Sequence, residues 1–202
     1  MGISLQQFEQ MKARVKIPRR AANAIVDASA PSKSSTQGVI LGVDPSLRGT
    51  GFGVIGVNRS HTQFLGCGTI SCPAKWERSR CLARIYSELR EVIRAHKPTV
   101  CAIEGLFYAQ NLQTALTMGE ARGAALAVAA ESGLEIFEIS PRKVKQAMVG
   151  YGAAQKLAVA KMVQRMLALT EPPAPDAADA LALALTYAQT HSRLGMGAPK
   201  KI

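Results

Sequence analysis

The stretch VILGVDPSLRGTGFGVIGV (39–57) decides the fold class. It opens on a short apolar run, VILGVD, that ends in a carboxylate at Asp44. DPSLRG is a turn sequence, and GFGVIGV (51–57) reads as a second strand. A turn containing Asn58 leads into a third strand, QFLGCGTI (63–70). Three consecutive strands predict an antiparallel meander.

Downstream the period changes. Leu82, Ile85, Leu89, Val92 and Ile93 recur at helical spacing within 77–96, with Arg and Glu between them. TVCAIE (99–104) follows Pro98 and reads as a fourth strand, again ended by a carboxylate, Glu104. A long helix over 111–132, a fifth strand LEIFEIS (134–140) and helices near 141–148, 155–168 and 176–191 complete the order. This alternation predicts parallel crossovers. The expected fold is α/β: a mixed five-stranded sheet flanked by helices on both faces.

The chain has 202 residues and 48% hydrophobic content, enough for one self-supporting domain. No apolar run reaches the roughly 18 residues of a membrane helix. Cys67, Cys72, Cys81 and Cys101 form no C-x-x-C pair, and His61, His96 and His191 are scattered. Zinc spacing and a disulfide framework are therefore absent, which suits a reducing cytoplasm. The net charge of +11 points to a polyanionic partner, most often nucleic acid. The organisation reads as a basic flexible arm (1–37), a domain (38–191) and a polar tail (192–202). The arm holds six basic residues against Glu9 and Asp27, and ends in the linker-like ASAPSKSSTQG. It has no apolar h-region of a secretory signal. It fits a phosphate-contacting arm, with organellar targeting left open.

The acids are more informative than the bases. Of only four aspartates, Asp176 and Asp179 stand three residues apart at the start of an Ala/Leu helix, DAADALALALT (176–186). They share one helix face. Asp44 and Glu104 end strands, where sites form in open α/β sheets. A helix packed beside strands one and four brings all four carboxylates together. Such a set, without His or Cys, suits Mg²⁺ or Mn²⁺ rather than zinc. In a basic protein it suits two-metal phosphodiester cleavage. Plainer roles exist for single residues. Asp176 fits an N-cap or a first-turn acid, and Asp44 fits a turn residue.

ILGVDPSLRGTGFGVI, AIEGLFYAQN, MGEARG, RKVKQAMVGYGAAQK and DAADALALALT, in this order from about 39 to 190, resemble the RuvC family of bacterial Holliday junction resolvases, or crossover junction endodeoxyribonucleases. The resemblance implies a ribonuclease H-like fold, a homodimer built through the helix at 111–132, and a Mg²⁺ nuclease with two ions per site. Its implied catalytic and metal-binding residues are Asp44, Glu104, Asp176 and Asp179. It implies that Phe107 stacks on bases near the crossover, and that Lys145 and Lys156 bind phosphate. Arg142 and Lys143 would extend the same DNA-binding basic face. Phe107 also fits a core position, and the lysines fit an ordinary surface. The implied partners are a four-way DNA junction, RuvA and RuvB, and the implied location is the bacterial cytoplasm, at the nucleoid. Ser46 stands where the family motif commonly has glycine, and Gly105 where glutamine is common.

Three other readings compete. A strand, an aspartate and a Gly-rich hairpin also open actin-like and sugar-kinase ATPases, but that fold needs a longer chain and leaves Asp176 and Asp179 unexplained. A non-catalytic junction-binding module has no use for the carboxylates. A ribonuclease H-like nuclease acting on RNA or on other branched DNA shares the fold, since function lives in the site.

Overall fold

The computed structural model describes residues 38–58, 61–105, 112–192 and 199–202. The arm at 1–37, Phe107 and most of the tail lie outside the described residues. The elements in chain order are β1 (Gly38–Asp44), β2 (Gly49–Asn58), β3 (His61–Ser71), α1 (Arg78–His96), β4 (Val100–Glu104), α2 (Leu112–Glu131), β5 (Glu135–Ile139), α3 (Pro141–Val149), α4 (Lys156–Met166), α5 (Pro175–Ser192) and β6 (Lys200–Lys201).

The meander is present: β1 pairs antiparallel with β2, and β2 with β3. β1 also pairs parallel with β4, and β4 parallel with β5. The strand order is β3-β2-β1-β4-β5-β6. The sheet thus has a sixth strand beyond the expected five. It forms because the chain's end returns to the free edge of β5, where Lys200 pairs with Glu138 and Lys201 with Phe137. Lys201 also forms an ion pair with Glu135 at 2.5 Å.

Strand alternation divides the core in two. Leu41, Val43, Cys101 and Ile103 face one side, against Cys81, Ile85 and Leu89 of α1 and Ala121, Ala125 and Val128 of α2. Ile40, Ile55, Ala102 and Ile139 face the other, against Val144 of α3, Val159 and Val163 of α4, and Leu181 and Leu185 of α5. Helices cover both faces, as expected.

Most of α5 is buried; Ala177, Ala178 and residues 180–187 all lie in the interior. It reaches the sheet so closely because β1 and β2 carry glycine where its backbone crosses them. A Cβ on Gly42 would stand 1.9 Å from the carbonyl oxygen of Ala180, and one on Gly51 would stand 2.0 Å from that of Asp176. The α2 helix behaves differently. Ala121, Ala125, Val128 and Ala129 are buried, whereas Leu112 and Leu116 are 75% and 54% exposed. Around Gly119 and Gly123 the space is open. Among the described helices none is long and apolar enough to cross a membrane.

Candidate active site

Register places the first two carboxylates side by side. In the parallel pair β1–β4, Val43 lies opposite Ile103, so Asp44 and Glu104 are the next residues on each strand. Both follow the alternation of Gly42 and Ala102, and so point to the α5 face. The glycine contact then brings in the first turns of α5. Asp179 joins Asp44 and Glu104 in lining a cleft, with Lys145 of α3 and Lys156 of α4. Pro141, Val144, Val159 and Leu183 form its apolar wall.

Asp176 lies one turn earlier on α5. Its Oδ2 stands 2.9 Å from where a Cβ on Gly49 would be, and its negative charge acts on Asp44. It neighbours the cleft without being one of its lining residues. Arg142 and Lys143 are likewise not part of the lining. Arg142 packs against Gly152, and the charge of Lys143 acts on His191 of α5.

The carboxylates hold one another in a strained electrostatic state. Burial, then the charge of Asp44, then the hydrogen bond Glu104 donates to Asp44, push the Glu104 carboxyl up to about 8. Asp179 adds to that rise and Lys156 opposes it. Burial also raises Asp44, although the bond from Glu104 counters it. Asp179 is held differently: the Lys156 ammonium donates to its Oδ2 at 2.7 Å. That bond is the leading cause of the raised Lys156 pKa. Among the described residues no three His, Cys, Asp or Glu side chains are grouped to hold an ion as they stand. As they stand, Glu104 bonds to Asp44 and Asp179 to Lys156.

Thr50 ties the turn after β1. Its buried hydroxyl donates to the carbonyl of Ser46 at 2.6 Å and accepts from the Ser46 amide at 3.2 Å. Among the described non-glycine residues only Lys97 and Ala168 have positive φ, so the backbone at Ser46 does not need glycine.

A concave cleft that gathers half-buried carboxylates with lysines is the arrangement of a phosphate-processing site. Residues 40–187 match the family model "Crossover junction endodeoxyribonuclease RuvC". The chain belongs to the RuvC family. The RuvC of Rubrobacter xylanophilus is 41% identical over 171 residues, spanning 83% of this chain and 96% of that protein. The RuvC of Vibrio vulnificus is 46% identical over 156 residues, spanning 77% and 90%. Among solved structures, T. thermophilus RuvC in complex with Holliday junction substrate aligns with a TM-score of 0.75 at 34% identity, covering 82% of this chain and 99% of that one. The ribonuclease H-like mixed fold is thus that of RuvC structures. Membership of the RuvC family also sets the ATPase reading aside.

Several participants escape a reading of residue types. The apolar wall is built from ordinary helix positions, so nothing marked it beforehand. Gly42 and Gly51 carried a signal that went unread: glycines inside strands, opposite an Ala-rich helix, mark a close backbone approach.

Proposed function

We propose that this chain is a divalent-metal-dependent endonuclease that resolves four-way DNA junctions by paired, symmetric nicks near the crossover. One observation carries the reading: β1, β4 and α5 bring Asp44, Glu104 and Asp179 to one cleft, with Asp176 beside it. Junction selectivity comes from family membership and from the T. thermophilus RuvC structure, which holds a Holliday junction substrate.

The donor set fits hard cations, since every candidate ligand is a carboxylate oxygen and, among the described residues, no sulfur or imidazole lines the cleft. Asp44, Glu104, Asp176 and Asp179 would hold two Mg²⁺ ions, with Mn²⁺ as a substitute. Bound there, the cations supply activation of the attacking water and stabilisation of the leaving oxygen, giving 5′-phosphate and 3′-hydroxyl ends. The protein supplies the rest. Glu104 must release its proton, and Asp179 must exchange its bond with Lys156. The Lys156 ammonium is then free to contact a phosphate oxygen. Lys145, on the same wall, adds a second positive contact. Val144, Val159 and Leu183 limit water at the site, which strengthens each of these charges.

A second copy of the chain would cover Leu112 and Leu116 on α2. A two-fold pair presents two equivalent clefts, which suits two nicks on one junction. Family membership alone suggests RuvA and RuvB as partners and the bacterial cytoplasm as the location.

The test uses a synthetic four-way junction and a linear duplex of the same sequence, each with Mg²⁺. The protein should nick the junction symmetrically and spare the duplex. Asp179→Asn should still bind the junction and lose at least about 10²-fold in nicking rate. Equal cutting of both substrates, or full activity in Asp179→Asn, refutes the reading.

A further inference from the structure

A second ionic group lies under Glu104, on the sheet face away from the cleft. Arg122 of α2 has 13% of its side chain exposed. Its Nε donates to the main-chain carbonyl of Glu104 at 3.2 Å. Its Nη2 donates to Oε2 of Glu138 at 2.5 Å. Glu138 lies on β5, in register with Ile103 of β4. One guanidinium therefore bridges the ends of both strands.

On the β1 flank the last residue of β4 has no ladder partner, and its pairing is with Ile139 of β5. The β1–β4 register ends at Val43 and Ile103, so Glu104 stands one residue beyond it. On the other flank β4 is held by β5, where the Gly105 amide donates to the Ile139 carbonyl at 2.9 Å. Gly105 leaves room for the bridge, since a Cβ there would stand 3.0 Å from Cγ of Glu138. The contact that Arg122 makes with Glu104 is to its main-chain carbonyl. Arg122 thus acts on Glu104 through the backbone.

We infer that Arg122, anchored by Glu138, is a positioning residue: from the opposite face of the sheet it fixes the main chain of Glu104 and so the place of that carboxylate in the cleft. The inference rests on the proposed role of Glu104 in cleavage. A planar guanidinium meets both acceptors at once, whereas a lysine ammonium retains the charge without the fork. Displacing a reacting group by about 1 Å costs on the order of 10²-fold in rate.

The test compares full-length wild type, Arg122→Lys, Glu138→Gln and the double variant. Three quantities are measured: junction affinity without metal, thermal midpoint, and single-turnover nicking with Mg²⁺ at saturating protein. Arg122→Lys should bind the junction within about twofold of wild type and nick it about tenfold more slowly. Glu138→Gln should do the same, and the double variant should be no slower than either single one. Ile85→Val, a core change on α1, should keep the wild-type rate and so separate positioning from lost stability. A wild-type rate in Arg122→Lys overturns the inference, as does a loss matched by weaker binding. With Asp179→Asn inactive, that outcome leaves the active-site reading standing. If Asp179→Asn cuts normally, both fall.

Discussion

Replacing Gly51 by alanine adds one methyl group where the structure has backbone. The new Cβ would stand 2.0 Å from the Asp176 carbonyl oxygen, about 1.4 Å inside the ordinary contact distance of 3.4 Å. That neighbour is main chain on a buried helix and has no rotamer to change. Either α5 lifts by about that amount at its first turn, or β2 gives way. Overpacking of this kind costs about 1–3 kcal/mol, and a backbone clash belongs at the upper end. For a chain of this size that lowers the midpoint by roughly 4–12 °C. The effect on function is larger, because Asp176 and Asp179 travel with the helix. A displacement near 1 Å predicts at least about 10²-fold slower nicking. The control is Gly56→Ala in the same strand, where the nearest atom to the Cβ would be a Leu65 side-chain carbon at an ordinary 3.5 Å. Thermal unfolding and single-turnover nicking of the two variants decide the matter. Wild-type rate and midpoint in Gly51→Ala would refute the close-contact argument, as would an equal loss in Gly56→Ala.

Glu104→Gln tests the electrostatics of the metal-free site. The folded protein keeps the Glu104 proton up to about pH 8, whereas an ordinary glutamate releases it near 4.5. The stability this contributes is fully present below about pH 4.5 and is lost as pH rises through 8, a loss of a few kcal/mol at roughly 1.4 kcal/mol per unit. Metal-free wild type should therefore lose more thermal stability between pH 5 and 8 than the variant; parallel profiles would contradict the assignment. Lys156→Ala separates stability from function. Its side chain is 79% exposed, so the ion pair with Asp179 is worth under about 1 kcal/mol and the midpoint should hardly move. Nicking should fall at least about tenfold, and an unchanged rate would remove Lys156 from the proposed site.

The fold was legible where burial sets a period. The apolar runs ending in Asp44 and Glu104 are strands, and Leu82, Ile85, Leu89 and Ile93 mark the buried side of α1. Asp179 stood out in the sequence as an acid within an Ala/Leu helix, and the structure brings it to the cleft with Asp44 and Glu104, with Asp176 beside it. β6 was not legible, since two lysines have no apolar period and pair only through their backbone and Glu135. Nor was the division of roles among the basic residues. Lys145 and Lys156 reach the cleft while Lys143 acts on His191, a difference set by helix rotation that charge alone does not encode. The α2 helix was half legible. The long helix expected over 111–132 is present, but only the structure shows which side it buries: Ala121, Ala125 and Val128, with space left open at Gly119 and Gly123.

At its two closest points the contact between α5 and the sheet is made by groups that are missing. Gly42 and Gly51 offer only hydrogen to the helix backbone above them. A survey that trims side chains one at a time would therefore pass over these two positions, because neither has anything to trim. Their sensitivity shows only when atoms are added. A map of this protein drawn from deletions would mark as silent the positions that tolerate the least, and a methyl-by-methyl enlargement would redraw it.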